Sequence, residues 1–193
     1  MKKLLILCLL VSLNATALNI RDIKFINSEG KKVELSQIDS EIIFEWANLE
    51  CPYVKRHYGS NNMQTTQEFA KSKNVMWITV ISSANGNQGY IPPKDAMNTF
   101  ASVGSFPDHI LVDENGDLGK KFNAKTTPHI FIADKNKNIV YQGAIDDAGG
   151  SKFWTTDLNQ STNFVKKVVN DIKSNKPLSV SKTRPYGCSV KYG

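Results

Sequence analysis

The chain has 193 residues, 40% of them hydrophobic and 22% charged, with a formal net charge of +6. That is room for one domain with a sizeable core, and it excludes a disordered chain and a protein of many membrane spans. The lysines are scattered without a long basic run, so the excess charge reads as a solvated surface, with no nucleic-acid partner implied.

Residues 1–17 read as an export signal. Lys2 and Lys3 give a charged start, Leu4 to Leu13 an apolar stretch too short to span a bilayer, and Ala15-Thr16-Ala17 a small-x-small cleavage pattern. Cleavage after Ala17 leaves a mature chain that begins at Leu18, carries 6 − 2 = +4 charges and has no stable membrane insertion. Cys8 leaves with the leader. Two cysteines, Cys51 and Cys188, then remain in a periplasmic or secreted protein, where disulfides persist.

Residues 18–174 read as one domain and 175–193 as a tail. Asn19 to Leu35 predicts two short strands around the turn Ser28-Glu29-Gly30-Lys31. Ile42 to Trp46 is an apolar, aromatic run of a buried strand. After Asn48-Leu49-Glu50, Cys51 stands directly before Pro52. Proline suits the first position of a helix, so Cys51 is expected at the N-cap, where free backbone N–H groups and the helix dipole favour a thiolate.

The helix is expected to run from Pro52 to about Lys73, with a possible break near Gly59-Ser60. Lys55 lies one turn from Cys51 and is a candidate to lower its pKa, while Arg56 and His57 read more readily as a solvated face. Val75 to Ile81 predicts a strand, Ser82 to Pro93 a polar loop, Pro93 to Val103 a helix, Ile110 to Val112 a strand and Asp117 to Phe122 a short helix.

Thr127-Pro128 then leads into the apolar run Ile130-Phe131-Ile132, and Ile139-Val140-Tyr141 returns as the next strand. Pro128 cannot donate a ladder hydrogen bond and must begin its strand or sit at an edge. Gly143-Ala144-Ile145-Asp146-Asp147 reads as the strand's end, and Asn163 to Ser174 as a helix with Phe164, Val165, Val168, Val169 and Ile172 on one face. The tail has neither helical nor strand period, and a free tail of this composition is ordinarily disordered. It nevertheless carries Tyr186-Gly187-Cys188.

The order Cys-Pro, Thr-Pro, Gly-Ala-Ile-Asp-Asp, Gly-Cys resembles exported thioredoxin-fold proteins of the redoxin group, also called the alkyl hydroperoxide reductase/thiol-specific antioxidant family, from about Ile20 to Tyr192. The resemblance implies an α/β thioredoxin-like fold: a mixed central sheet flanked by helices, with an N-terminal hairpin. It also implies a cis Pro128 whose loop, with Thr127, packs against Cys51.

Three departures from related patterns matter. Val54 stands where disulfide-exchange proteins carry a second cysteine. Asn48 stands where the peroxidases carry Thr or Ser, and it can also donate a hydrogen bond. Ala47 stands where copper-handling relatives carry their first cysteine.

Three readings stay open at this level. In the first, Cys51 is the nucleophile of a thiol oxidoreductase or peroxidase, supported by Pro52, Asn48, Lys55, Thr127 and Pro128, and Cys188 resolves the product. The substrate is then a peroxide or a protein or small-molecule disulfide, with a separate reductant and no cofactor. In the second, Cys51–Cys188 is a structural disulfide pinning the tail, for which chain entropy allows about 4.7 kcal/mol or more. In the third, the fold is a scaffold for Cu(I) or a protein partner, although His57, His109 and His129 show no ligand spacing. His129 is the histidine placed to approach Cys51. Glu45 and Glu50 flank the cysteine; a buried Glu there would serve as a proton relay, with a solvated role the simpler expectation for both.

Overall fold

β3 (Ile42–Trp46) is buried at every position and lies in the middle of a five-stranded sheet. The computed structural model describes residues 18–193; the expected leader, residues 1–17, lies outside the described residues. Two short strands precede β3. β1 (Lys24–Ile26) and β2 (Lys32–Glu34) form an antiparallel hairpin, which makes a small sheet of its own. Lys24 and Lys32 both pair with Glu34 at its edge.

β4 (Met76–Ile81) pairs parallel with β3, and β5 (His109–Val112) parallel with β4. On the other side β7 (His129–Ala133) pairs antiparallel with β3, and β8 (Ile139–Gly143) antiparallel with β7. The order β5-β4-β3-β7-β8 is thus a mixed sheet. The parallel pairs are joined through helices, as such connections require. α1 (Pro52–Gly59) and α2 (Asn62–Ser72) connect β3 to β4, and α3 (Pro93–Ala101) connects β4 to β5. α4 (Asp117–Phe122) and α5 (Phe164–Lys173) complete the set.

The expected break in the first helix falls at Ser60-Asn61. Asn61 adopts a left-handed φ of 63°, which separates α1 from α2 and which Asn tolerates better than most residues. α5 begins at the Asn163 cap, whose side chain accepts from the Lys166 N–H.

Strand alternation divides the core in two. Ile43 of β3 meets Cys51, Val54, Met63, Phe100, Val168 and Val169 from α1, α2, α3 and α5. Ile42, Phe44 and Trp46 meet Phe122, Phe131, Ile20 and Leu35 on the opposite face. Each fully buried aliphatic or aromatic side chain contributes about 1.5–3 kcal/mol to this arrangement. The sheet therefore holds the turn after β3, and Cys51 with it, in a rigid setting.

The tail is not free. Its backbone bonds to the β8 edge through Gln142 and Ser181 and through Thr183 and Gln142. It then forms β9 (Cys188–Ser189), paired antiparallel with β6 (Thr126–Thr127), and ends with Tyr192 donating to the Ala124 carbonyl at 2.9 Å. Absence of sequence period misled here, because these contacts are made residue by residue to glycines and loop carbonyls rather than along one face.

Candidate functional site

Cys51 is the N-cap of α1, with extended backbone (φ −68°, ψ 125°) and Pro52 in the first turn. The Asx turn of Asn48 sets it there: the Asn48 side-chain oxygen accepts from the Glu50 N–H at 2.8 Å, and its carbonyl accepts from the Cys51 N–H at 3.0 Å. The Cys51 carbonyl starts the helix by accepting from Lys55 N–H at 2.9 Å. Cys51 itself has no exposed surface.

The Thr127–Pro128 peptide is cis, and its loop closes over the sulfur: Cys51 Sγ lies 3.1 Å from the Thr127 carbonyl oxygen. Cys188 comes from the other side. Its residue pairs with Thr127 in the β6–β9 ladder, and its Sγ stands 2.7 Å from that of Cys51. Both thiols are free.

The two sulfurs are electrostatically unlike. Burial pushes the Cys51 thiol up, but the Cys188 S–H, the Val54 and Cys188 backbone N–H groups and the Thr127 side chain outweigh it and hold the group below its ordinary value. Burial and the contact with Cys51 push Cys188 up to about 11. When one of the pair ionises, it is therefore Cys51, and the remaining proton stays on Cys188.

The other expected site residues divide. Pro52 is exposed and acts on Cys51 only by starting the helix. Lys55 is exposed, so the groups that hold the Cys51 thiol down are backbone N–H groups and neighbours in the fold rather than this cation. Asn48 is buried, and its amide donates to the Gln88 carbonyl at 3.1 Å. Arg56 stacks on Phe153, 4.7 Å from the ring centre, and donates to the Thr156 carbonyl at 2.7 Å.

Four expectations are corrected. His57 is fully buried rather than solvated, because its turn of α1 faces the loop after β8. His129 sits on the sheet face opposite Cys51: it pairs with Trp46 in the ladder and packs 4.3 Å from Phe131, so strand alternation takes it away from the thiol. Glu45 is not solvated but wholly buried, and it accepts from Tyr58 at 2.9 Å, Trp77 at 3.0 Å and Thr79 at 3.2 Å. Burial raises it to about 7 against the pull of those donors. Asp146 is more than a strand end: it is buried among Asn62, Ala148 and Tyr186, beneath the tail.

Nothing in the sequence pairs Asp146 with Tyr186. The available signal is that Tyr186, one of two tyrosines in the tail, stands two residues before Cys188. Among the described residues, no group of three or more His, Cys, Asp or Glu side chains is gathered as a metal site.

A mixed sheet with a helix-capping cysteine facing a cis-proline loop defines a thioredoxin-like thiol protein. The Redoxin family matches residues 15–156, and the chain belongs to that family and so to the thiol oxidoreductases in general. Similar solved structures include a hypothetical protein of Sinorhizobium meliloti 1021, 18% identical with a TM-score of 0.74, over 93% of this chain and 97% of that one. An uncharacterized conserved protein of Geobacillus kaustophilus is 20% identical with a TM-score of 0.75, over 93% and 94% of the two chains. A thioredoxin-like protein of Aeropyrum pernix is 20% identical with a TM-score of 0.51, over 70% and 87%. No curated protein matches the chain. The family match ends before α5, so Cys188 lies outside it.

Proposed function

We propose that the protein is an exported thiol–disulfide oxidoreductase in which Cys51 is the nucleophile and Cys188 the resolving thiol. The observation that carries this reading is the 2.7 Å approach of two free sulfurs, one at a helix N-cap with a lowered pKa and the other with a raised one. The Cys51 thiolate attacks one sulfur of a substrate disulfide, forming a mixed disulfide and expelling the other half as a thiolate. Cys188, its proton lost to solvent, then attacks the Cys51 sulfur. That step forms Cys51–Cys188, releases the second thiolate and leaves the substrate reduced by two electrons. An external dithiol restores the pair.

A peroxide substrate finds less support. The Asn48 amide, which stands where the peroxidases carry Thr or Ser, donates to the Gln88 carbonyl. A purely structural disulfide also finds less support, because the tail is already fastened without it through Thr183, Tyr186, Val190 and Tyr192. Since Cys51 has no exposed surface, an incoming disulfide reaches it only when the tail moves.

The test is a pH titration of alkylation with iodoacetamide on the reduced protein, with each cysteine resolved by mass spectrometry. Cys51 is expected to label with a midpoint below 9.0 and Cys188 with one about 11. A Cys51 midpoint at or above the ordinary value removes the activated nucleophile from the account.

A further inference from the structure

Two residues before Cys188, the tail sends one hydroxyl into a buried polar cluster. The Tyr186 ring lies against Gly149, where an added Cβ would come within 2.5 Å of it, and stacks near Phe153 and His57. Its hydroxyl makes a short hydrogen bond to Asp146 Oδ1 and stands 3.1 Å from His57 Nε2. The remaining members come from the body of the domain. Asn62 Nδ2 donates to Asp146 Oδ2 at 2.8 Å and faces His57 Nδ1 at 3.0 Å, and Ala148 N–H donates to Asp146 Oδ1 at 3.0 Å. Asp146, His57 and Asn62 are all buried.

One assignment of donors and acceptors satisfies every contact in this cluster. Three donors converge on Asp146, so it acts as an acceptor throughout, as a carboxylate does. The Asn62 amide carries two N–H groups; one goes to Asp146, and the other meets His57 Nδ1, which must accept. Burial, with Arg56 adding to it, holds His57 down to about 3, so the ring is neutral and its single proton is on Nε2. That N–H donates to the Tyr186 oxygen, and the Tyr186 proton is left for Asp146. The hydroxyl is the one tail atom in the cluster, and it completes two buried groups at once. When the tail lifts, His57 Nε2–H loses its acceptor and Asp146 loses a donor, in a setting where unpaired polar groups are costly.

Tyr186 is also closely linked to the resolving thiol. Only Gly187 lies between them, and it takes a φ of 141° that carries the chain from the Tyr186 seat straight into β9. We infer that Tyr186 is the positioning residue for Cys188: by closing the Asp146–His57–Asn62 cluster it latches the tail over Cys51, and its release is the step that opens Cys51 to substrate. This inference rests on the proposed role of the cysteine pair, but its test does not need turnover.

The experiment measures iodoacetamide labelling of Cys51 in the reduced full-length protein at one pH, for wild type, Tyr186→Phe and Tyr192→Phe, with a urea unfolding curve for each. Tyr186→Phe keeps the ring and removes only the latch hydroxyl. It is expected to raise the Cys51 labelling rate roughly ten- to a hundredfold and to lower the unfolding free energy by the matching amount, about 1.4–2.8 kcal/mol. Tyr192→Phe removes a hydrogen bond to the Ala124 carbonyl, outside the Asp146–His57–Asn62 cluster, and is expected to stay within about twofold of wild-type labelling.

Gly149→Ala gives an independent check, since the atoms its Cβ meets first are those of the Tyr186 ring; it is expected to raise labelling as Tyr186→Phe does. Wild-type labelling in both Tyr186→Phe and Gly149→Ala overturns the latch, and so does an equal rise in Tyr192→Phe. Failure of the enzyme to reduce any disulfide would instead strike the proposed function and leave these rates interpretable.

Discussion

Gly187 passes so close to Thr127 that a Cβ on the glycine would stand 2.1 Å from the Thr127 carbonyl oxygen. The contact brings the tail backbone against the cis-proline loop and lets Cys188 pair with Thr127 in the same ladder. At that distance carbonyl and side chain cannot coexist, and the φ of 141° adds a conformation that L side chains rarely adopt. Gly187→Ala is therefore expected to force β9 off β6, with a loss of about 1–3 kcal/mol of stability. Formation of the Cys51–Cys188 disulfide on mixing with oxidised glutathione should slow at least about tenfold, which is what about 1.4 kcal/mol lost from that geometry amounts to. The rate is read from the appearance of the internal disulfide by mass spectrometry.

Glu45 gives the protein a pH dependence on the neutral side. Its folded pKa is raised to about 7 from 4.5, because burial disfavours the charged form. The folded state thus holds a proton that the unfolded chain has given up. The stabilisation is full below 4.5 and is lost as pH rises through about 7. Glu45→Gln keeps the shape without the titration. The difference in unfolding free energy between mutant and wild type should move in the mutant's favour by up to about 3 kcal/mol across that window. Urea unfolding at several pH values measures it.

His129 contributes the opposite slope on the acid side. Burial, with Lys125 adding to it, lowers its folded pKa to about 4 from 6.5. Below 6.5 the unfolded chain takes up a proton that the folded state refuses, so stability falls as pH drops toward about 4. His57, lowered to about 3, adds to the same acid loss. His129→Phe removes one of these titrations on a face already packed with Phe131 and Trp46. Between pH 6 and pH 4.5, wild type is expected to lose roughly 1–2 kcal/mol more than the mutant. Parallel losses would mean that His129 titrates normally in the folded state.

Much of this architecture was legible in the residues. The unbroken apolar run of β3, the Cys51-Pro52 helix start and the turn into Thr127-Pro128 each carry local chemistry that dictates their geometry. The rest depends on contacts between distant segments. His57 and Glu45 looked solvated because a charged or polar letter in a helix or strand does not show what packs over it. Asp146 and Tyr186 lie forty positions apart and meet only because the tail folds back over the loop after β8. His129 follows Pro128 directly, yet a single strand step puts it on the other side of the sheet from Cys51.

The most direct test follows one turnover on a disulfide by trapping the protein with acid and mapping its sulfurs. Reduced wild type mixed with oxidised glutathione should end as Cys51–Cys188, with two glutathione thiols released per chain and no adduct remaining. Cys188→Ser should stop one step earlier, with a single glutathione held on Cys51. An adduct formed first on Cys188, or a Cys51→Ser protein that still takes up glutathione at the wild-type rate, would contradict the assignment of Cys51 as the attacking sulfur.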